Sequence, residues 1–169
     1  ALYALGLAYH GSLLGIPVTV VMPRFSPLIK VSTCRHLGAN VIQYGDTFMD
    51  ARSHALAYAQ AHELTYIHGF DDPAIIAGQG TMGLEILDQV ADIDAIVVPI
   101  GGGGLIAGVS LAVKSLQPDI RIIGVEAEHS ASFTAALQQG KPVKIDVRPT
   151  LADGLAVGKI GDLAFAIAR

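Results

Sequence analysis

The sequence predicts an α/β protein in which parallel sheets carry helices on both faces. Three observations lead there. Short apolar, β-branched runs alternate with longer helical patterns and short loops, the rhythm of βαβ units. Glycine supplies 19 of the 169 residues, above the roughly 7% usual in globular chains, as Gly-rich strand-to-helix turns require. Hydrophobic residues make up 51% and charged residues 15%, enough apolar side chain to bury a sizeable core.

The elements follow in order. Residues 1–14 are Ala/Leu-rich and read as a helix stopped by Gly15. Residues 17–22, PVTVVM, read as a buried strand closed by Pro23. Ser26 heads a second helix, with Pro27 at its first position and Gly38 past its end. Residues 40–44 form the next strand, and Asp46 caps a helix running to about Glu63. Residues 65–68, TYIH, read as a short strand before a loop over 68–73. The second half repeats the pattern. A helix spans 74–90, an apolar strand 94–100, a glycine loop 101–104, a helix 105–116 and a strand 120–125. A short helix over 130–139, an irregular stretch over 140–149 and a last helix from Asp162 complete it.

Composition excludes several functions. A net charge of −4 without a basic stripe cannot track a phosphate backbone, so no nucleic-acid partner is expected. No apolar run reaches about 18 residues without charge or Gly/Pro breaks, so no membrane span is expected. One cysteine, Cys34, excludes an internal disulfide and suits a reducing, cytoplasmic compartment. No secretory signal pattern is present. The chain opens and stops inside helical patterns, as a piece of a longer protein would.

The strongest chemical signal is Gly101-Gly102-Gly103-Gly104, set between a buried strand and a helix. Four glycines let backbone N–H groups close around an anion, and the following helix adds its positive end. A plain turn needs no such run, which costs backbone entropy. The same residues satisfy a second pattern. Gly102, Gly104 and Ala107 read G-x-G-x-x-A, with Glu126 at the end of the next strand in place for a ribose hydroxyl. A dinucleotide site therefore competes with a phosphate site. Gly78 and Gly80 weaken a helical pattern and point to close packing against a ligand or sheet, or to a tight helix–strand contact. Cys34 has Arg35 and His36 beside it, neighbours that lower a thiol pKa, although an ordinary helix position explains it as well. The six histidines show no metal-ligand spacing.

Four motifs together resemble the fold-type II pyridoxal-phosphate enzymes, tryptophan synthase β-like in architecture. They are the tetraglycine after VVPI, the AGQGT stretch at 77–81, the run Phe70-Asp71-Asp72-Pro73, and Thr150-Leu151-Ala152-Asp153-Gly154. The likeness is to the threonine dehydratase (threonine ammonia-lyase) and serine racemase family and runs in order from about Gly6 to about Gly161. The resemblance implies pyridoxal 5'-phosphate as cofactor, holding the amino-acid substrate through a Schiff base and acting as an electron sink. It implies loss of the β-hydroxyl from threonine or serine, giving a 2-oxo acid and ammonia. It places the phosphate on Gly101, Gly102, Gly103, Gly104 and Leu105, Phe70 beside the cofactor ring and Gly154 near it. From the racemase it implies a divalent cation at Glu126, although Ser132 stands where a second acid is needed.

The family's Schiff-base lysine has no counterpart among Lys30, Lys114, Lys141, Lys144 and Lys159, so no catalytic residue is assigned and these 169 residues alone are expected to be inactive. The family's Gly-Asn-His run falls on Ala1-Leu2-Tyr3. The resemblance divides the chain into most of a small mobile domain over 1–70 and part of the large cofactor domain over 71–169, in an incomplete fold that pairs as a homo-oligomer. Gly103→Asp is expected to abolish phosphate binding while the fold survives.

Overall fold

The computed structural model describes residues 2–169, with side chains from Tyr3 onward. One compact unit runs to Ile67 and a second starts at His68.

In the first unit, α1 (Leu2–Leu14) leads into β1 (Thr19–Met22), α2 (Leu28–His36), β2 (Asn40–Gln43) and α3 (Phe48–Ala61). β1 and β2 pair in parallel, Thr19 opposite Asn40 through Met22 opposite Gln43, with α2 as the crossover. Ala4 and Ala8 of α1, Val20 and Met22 of β1, and Val31 and Cys34 of α2 close the core. Two helix starts differ from expectation. Pro27 takes the cap position and α2 begins one residue later, at Leu28. Asp46 does not cap α3, because the Arg24 guanidinium holds its carboxylate at 2.8 Å. Thr47 caps instead: its hydroxyl accepts from the Asp50 amide at 3.2 Å, and the Asp50 carboxylate accepts from the Thr47 amide at 2.9 Å. Residues 65–68 are not a strand. Glu63 turns into the left-handed region, and among the described residues no neighbouring strand offers the stretch a ladder.

The second unit runs α4 (Pro73–Gln89), β3 (Ala95–Pro99), α5 (Gly104–Leu116), β4 (Arg121–Val125), α6 (Ser132–Gln139) and α7 (Asp162–Ala168), with 3-10 turns at Glu128–Ser130 and Asp153–Leu155. β3 and β4 are parallel, Ala95 opposite Arg121 through Pro99 opposite Val125. Ile76, Val98, Ile100, Ile106, Val109, Val113, Ile160 and Phe165 form its core. Of the AGQGT glycines, Gly80 packs against a helix rather than a sheet. A Cβ on Gly80 would lie 3.0 Å from the Gly108 carbonyl oxygen, and one on Gly108 would run into Ile76 O, so they set a close helix crossing of α4 on α5. Gly78 meets nothing within 4 Å. That crossing fixes α5, and α5 carries the glycine loop on its first turn.

Candidate cofactor site

β3 ends at Pro99, and the Ile100 amide makes one more sheet bond, to Val125 O at 2.8 Å. Beyond it the chain must reverse into α5. Gly103 does this with φ of 91°, in the left-handed region, and α5 starts at Gly104. A parallel strand, a left-handed glycine and a helix N-terminus therefore meet within five residues.

Gly102, Gly103 and Gly104 are each required by a close neighbour, and Gly101 is tightly packed. A Cβ on Gly102 would run into the Phe70 ring, and one on Gly104 would meet the Phe70 carbonyl. One on Gly103 would lie 2.8 Å from Ile160 Cδ1 and 3.0 Å from Ala164 Cβ. One on Gly101 would lie 3.3 Å from Gly154 O. The structure thus brings Phe70 and Gly154, far apart in sequence, onto the same loop. It also shows that Gly103→Asp would drive a carboxylate into the buried Ile160–Ala164 contact, so the expectation that the fold survives this change is withdrawn.

Among the described residues, no hydrogen bond is made by the amides of Gly101, Gly102, Gly103, Gly104 or Leu105. Gly102, Gly103 and Gly104 are buried. Buried backbone donors are almost always paired, so this run of donors at a helix N-terminus is open to an acceptor. The helix dipole makes an anion the favoured one.

The surrounding segments are tied to the loop. Gly161 N donates to Gly102 O at 3.0 Å. His68 Nδ1 accepts from the amides of Phe70 at 3.2 Å and Asp71 at 2.9 Å. The Asp71 carboxylate accepts from the amides of Asp162, Leu163 and Ala164 at 2.9, 3.0 and 3.1 Å. Asp72 caps α4 through Ala74 N at 2.8 Å and Ile75 N at 3.3 Å. Leu151 stands fully exposed in the 150–154 stretch, where Thr150 Oγ1 accepts from Ala152 N.

Sequence reasoning missed Asp71 and Gly161. A signal existed: in Asp71-Asp72-Pro73 only the residue before the proline is needed as the α4 cap, which leaves the other carboxylate for a distant partner.

Glu126 has a role other than those expected. Its Oε1 accepts from Phe133 N at 2.7 Å, and its Oε2 accepts from Thr134 N at 2.8 Å and Thr134 Oγ1 at 2.7 Å. It caps α6, whose residue Ala131 at the cap position has no side-chain acceptor. Both oxygens are engaged, so Glu126 is not held out for a ribose hydroxyl, and the dinucleotide reading loses its acid. No group of three His, Cys, Asp or Glu suited to a metal occurs among the described residues. Ser132 is fully buried and its hydroxyl has no partner. These residues do not fit a divalent cation.

Burial pushes the Cys34 thiol up from its ordinary value, the reverse of the activation that Arg35 and His36 suggested. The Lys159 amine pairs with Asp162 at 3.2 Å, and Lys114 Nζ donates to Pro118 O. Ala1 and the Leu2 side chain, on which part of the Gly-Asn-His position falls, lie outside the described residues. No helix among the described residues is long and apolar enough to cross a membrane.

Comparison with known proteins gives the family. The chain matches the pyridoxal-phosphate dependent enzyme family over residues 3–169 and belongs to that family. It is 46% identical over 167 residues to an L-threonine ammonia-lyase of Thermotoga maritima, covering 99% of this chain and 42% of that protein. It is 42% identical to the biosynthetic L-threonine dehydratase of Escherichia coli, covering 99% of this chain and 32% of that one. Among solved structures it resembles the processed threonine deaminase isoform 2 of Solanum lycopersicum, with 44% identity and a TM-score of 0.88, over 98% of this chain and 49% of that one. It also resembles the serine racemase of Dictyostelium discoideum, with 34% identity and a TM-score of 0.85, over 97% of this chain and 52% of that one. The chain spans less than half the length of these curated relatives.

Proposed function

We propose that the protein containing this chain is a pyridoxal-phosphate-dependent ammonia-lyase acting on threonine or serine. The observation that carries the reading is the set of unpaired amides of Gly101, Gly102, Gly103, Gly104 and Leu105 at the start of α5. In this reading those amides hold the cofactor phosphate, Phe70 flanks its ring and the Gly154 backbone lies near it. The bound cofactor supplies an electron sink that acidifies the substrate α-carbon. The chain's own residues bind, orient and desolvate. The buried glycines keep water from the phosphate and strengthen each N–H contact. Phe70 presents an apolar face. The nearest carboxylate on the supporting segment, Asp71, already faces three amides, so its charge is spent before it can oppose an anion.

The overall reaction removes the β-hydroxyl as water and takes up water at the α-carbon as ammonia leaves, giving a 2-oxo acid. None of Lys30, Lys114, Lys141, Lys144 and Lys159 supplies the family's Schiff-base amine in this reading, so a polypeptide of these 169 residues alone would bind the cofactor without turnover. The unit ending at Ile67 corresponds to the small mobile domain, and the unit from His68 to part of the cofactor domain. Phe25, Leu28 and Ile29, 83%, 82% and 71% exposed, suit burial against another chain, and a cytoplasmic homo-oligomer is part of the proposal.

The test is 2-oxo acid and ammonia release from L-threonine and L-serine by the full-length protein that contains this chain, with and without pyridoxal phosphate. Cofactor-dependent release of both products is expected. Cofactor-dependent inversion of serine without ammonia would replace the lyase reading with a racemase.

A further inference from the structure

We propose that Asp71 is a positioning residue for the phosphate loop, a latch that holds the Phe70 segment and the first turn of α7 together against the glycines. The proposal rests on the cofactor reading above. It starts from a closed circuit of contacts within the second unit. Gly102 O accepts from Gly161 N at 3.0 Å. The next three amides, of Asp162, Leu163 and Ala164, all donate to the Asp71 carboxylate. Asp71 follows Phe70, whose ring packs on Gly102 and whose carbonyl meets Gly104. The circuit therefore returns to the residue from which it began.

Two features show that the arrangement is specific. A Cβ on Gly161 would run into the Asp71 carboxylate, so that glycine is needed for the latch to close. On the other side of the same turn, Ile160 and Ala164 press on Gly103, the residue whose left-handed backbone aims the loop. Moving α7 thus changes both the Gly102 carbonyl and the support under Gly103. An aspartate is well suited to the latch because a carboxylate accepts several bonds at once and favours the positive end of a helix. Asp72 is the internal comparison. It makes the same kind of cap one residue away, but on α4, with no bond to the loop or to α7.

The experiment compares Asp71→Asn with Asp72→Asn in the protein. Asp71→Asn keeps one acceptor oxygen but loses the charge and turns an amide donor toward backbone donors. Affinity for pyridoxal 5'-phosphate is read by equilibrium dialysis, and stability by urea unfolding. Asp71→Asn is expected to weaken binding about tenfold, the factor that ~1.4 kcal/mol represents. Asp72→Asn keeps a good helix cap and is expected to hold stability near the parent's, with affinity within about twofold of it, a change of ~0.4 kcal/mol. Equal losses of affinity would reduce Asp71 to a structural cap and overturn the latch.

A second measurement needs no variant. Hydrogen exchange of the Asp162, Leu163 and Ala164 amides should slow when the parent protein binds pyridoxal phosphate. Slowing at residues 101–105 with no change at those three would refute the latch while leaving the cofactor reading in place. Failure of the parent to bind pyridoxal phosphate at all would overturn both.

Discussion

Two glycines of the second unit should respond oppositely to the same substitution. Gly78 lies inside α4, exposed, with nothing within 4 Å of the place a Cβ would take. Gly78→Ala therefore adds no clash and removes the backbone-entropy cost of glycine, a stabilisation of about 1 kcal/mol. Gly108 lies in α5 at the crossing with α4. Its Cβ would run into Ile76 O and stand 2.6 Å from Gly80 N and 3.0 Å from Gln79 C. All three are backbone atoms, which cannot rotate aside. The helices would have to separate, opening the contact lined by Ile76, Val109 and Val113, each at most 2% exposed. Overpacking of this kind costs about 1–3 kcal/mol, and the upper end applies because no side chain can yield. After subtracting the helix-propensity gain of about 1 kcal/mol, Gly108→Ala should destabilise by about 1–2 kcal/mol. The two variants should thus differ by about 2–3 kcal/mol in urea unfolding at unchanged slope. A Gly108→Ala protein as stable as the parent, or a Gly78→Ala protein destabilised like it, would refute the helix-crossing account of the AGQGT glycines.

Three further outcomes follow from the first unit. Hydrogen bonds from the Thr47 hydroxyl, then from the Thr47 and Asp46 amides, hold the Asp50 carboxyl below its ordinary range. Its contribution to stability is therefore full above the usual aspartate pKa and lost as pH falls through the lowered native value. Asp50→Asn should flatten that acid limb in pH-dependent urea unfolding, while Thr47→Ala should cost about 1 kcal/mol at neutral pH through loss of the cap. Cys34, with no exposed surface and a raised pKa, should react with a thiol reagent only as fast as the protein unfolds, and rapid labelling of the native state would contradict its placement.

The alternation of strands and helices was legible because apolar periodicity and Gly/Pro punctuation are local properties. So was the tetraglycine, whose chemistry needs only consecutive residues. What escaped were features decided by distant partners. Asp46 has the composition of a helix cap, but Arg24, twenty-two residues earlier, claims it, and Thr47 takes over. TYIH has strand composition but no ladder among the described residues. Glu126 sits where a ribose or cation acid belongs, yet the free amides at the start of α6 reach it first. The glycines at 101–104 were read as letting N–H groups close around an anion; not legible was that their Cβ directions are filled by Phe70, Ile160 and Gly154, a second reason for glycine there. Spacing alone does not separate those two reasons for a glycine.

The central claim is that the start of α5 is an anion cradle, and backbone amide NMR tests it most directly. An isotope-labelled protein is titrated with pyridoxal phosphate, with inorganic phosphate and with pyridoxal lacking the phosphate. The largest shifts should fall on the amides of Gly101, Gly102, Gly103, Gly104 and Leu105 for both phosphate-bearing titrants, with pyridoxal leaving them nearly unmoved. Shifts centred elsewhere, or equal responses to pyridoxal with and without its phosphate, would contradict the account.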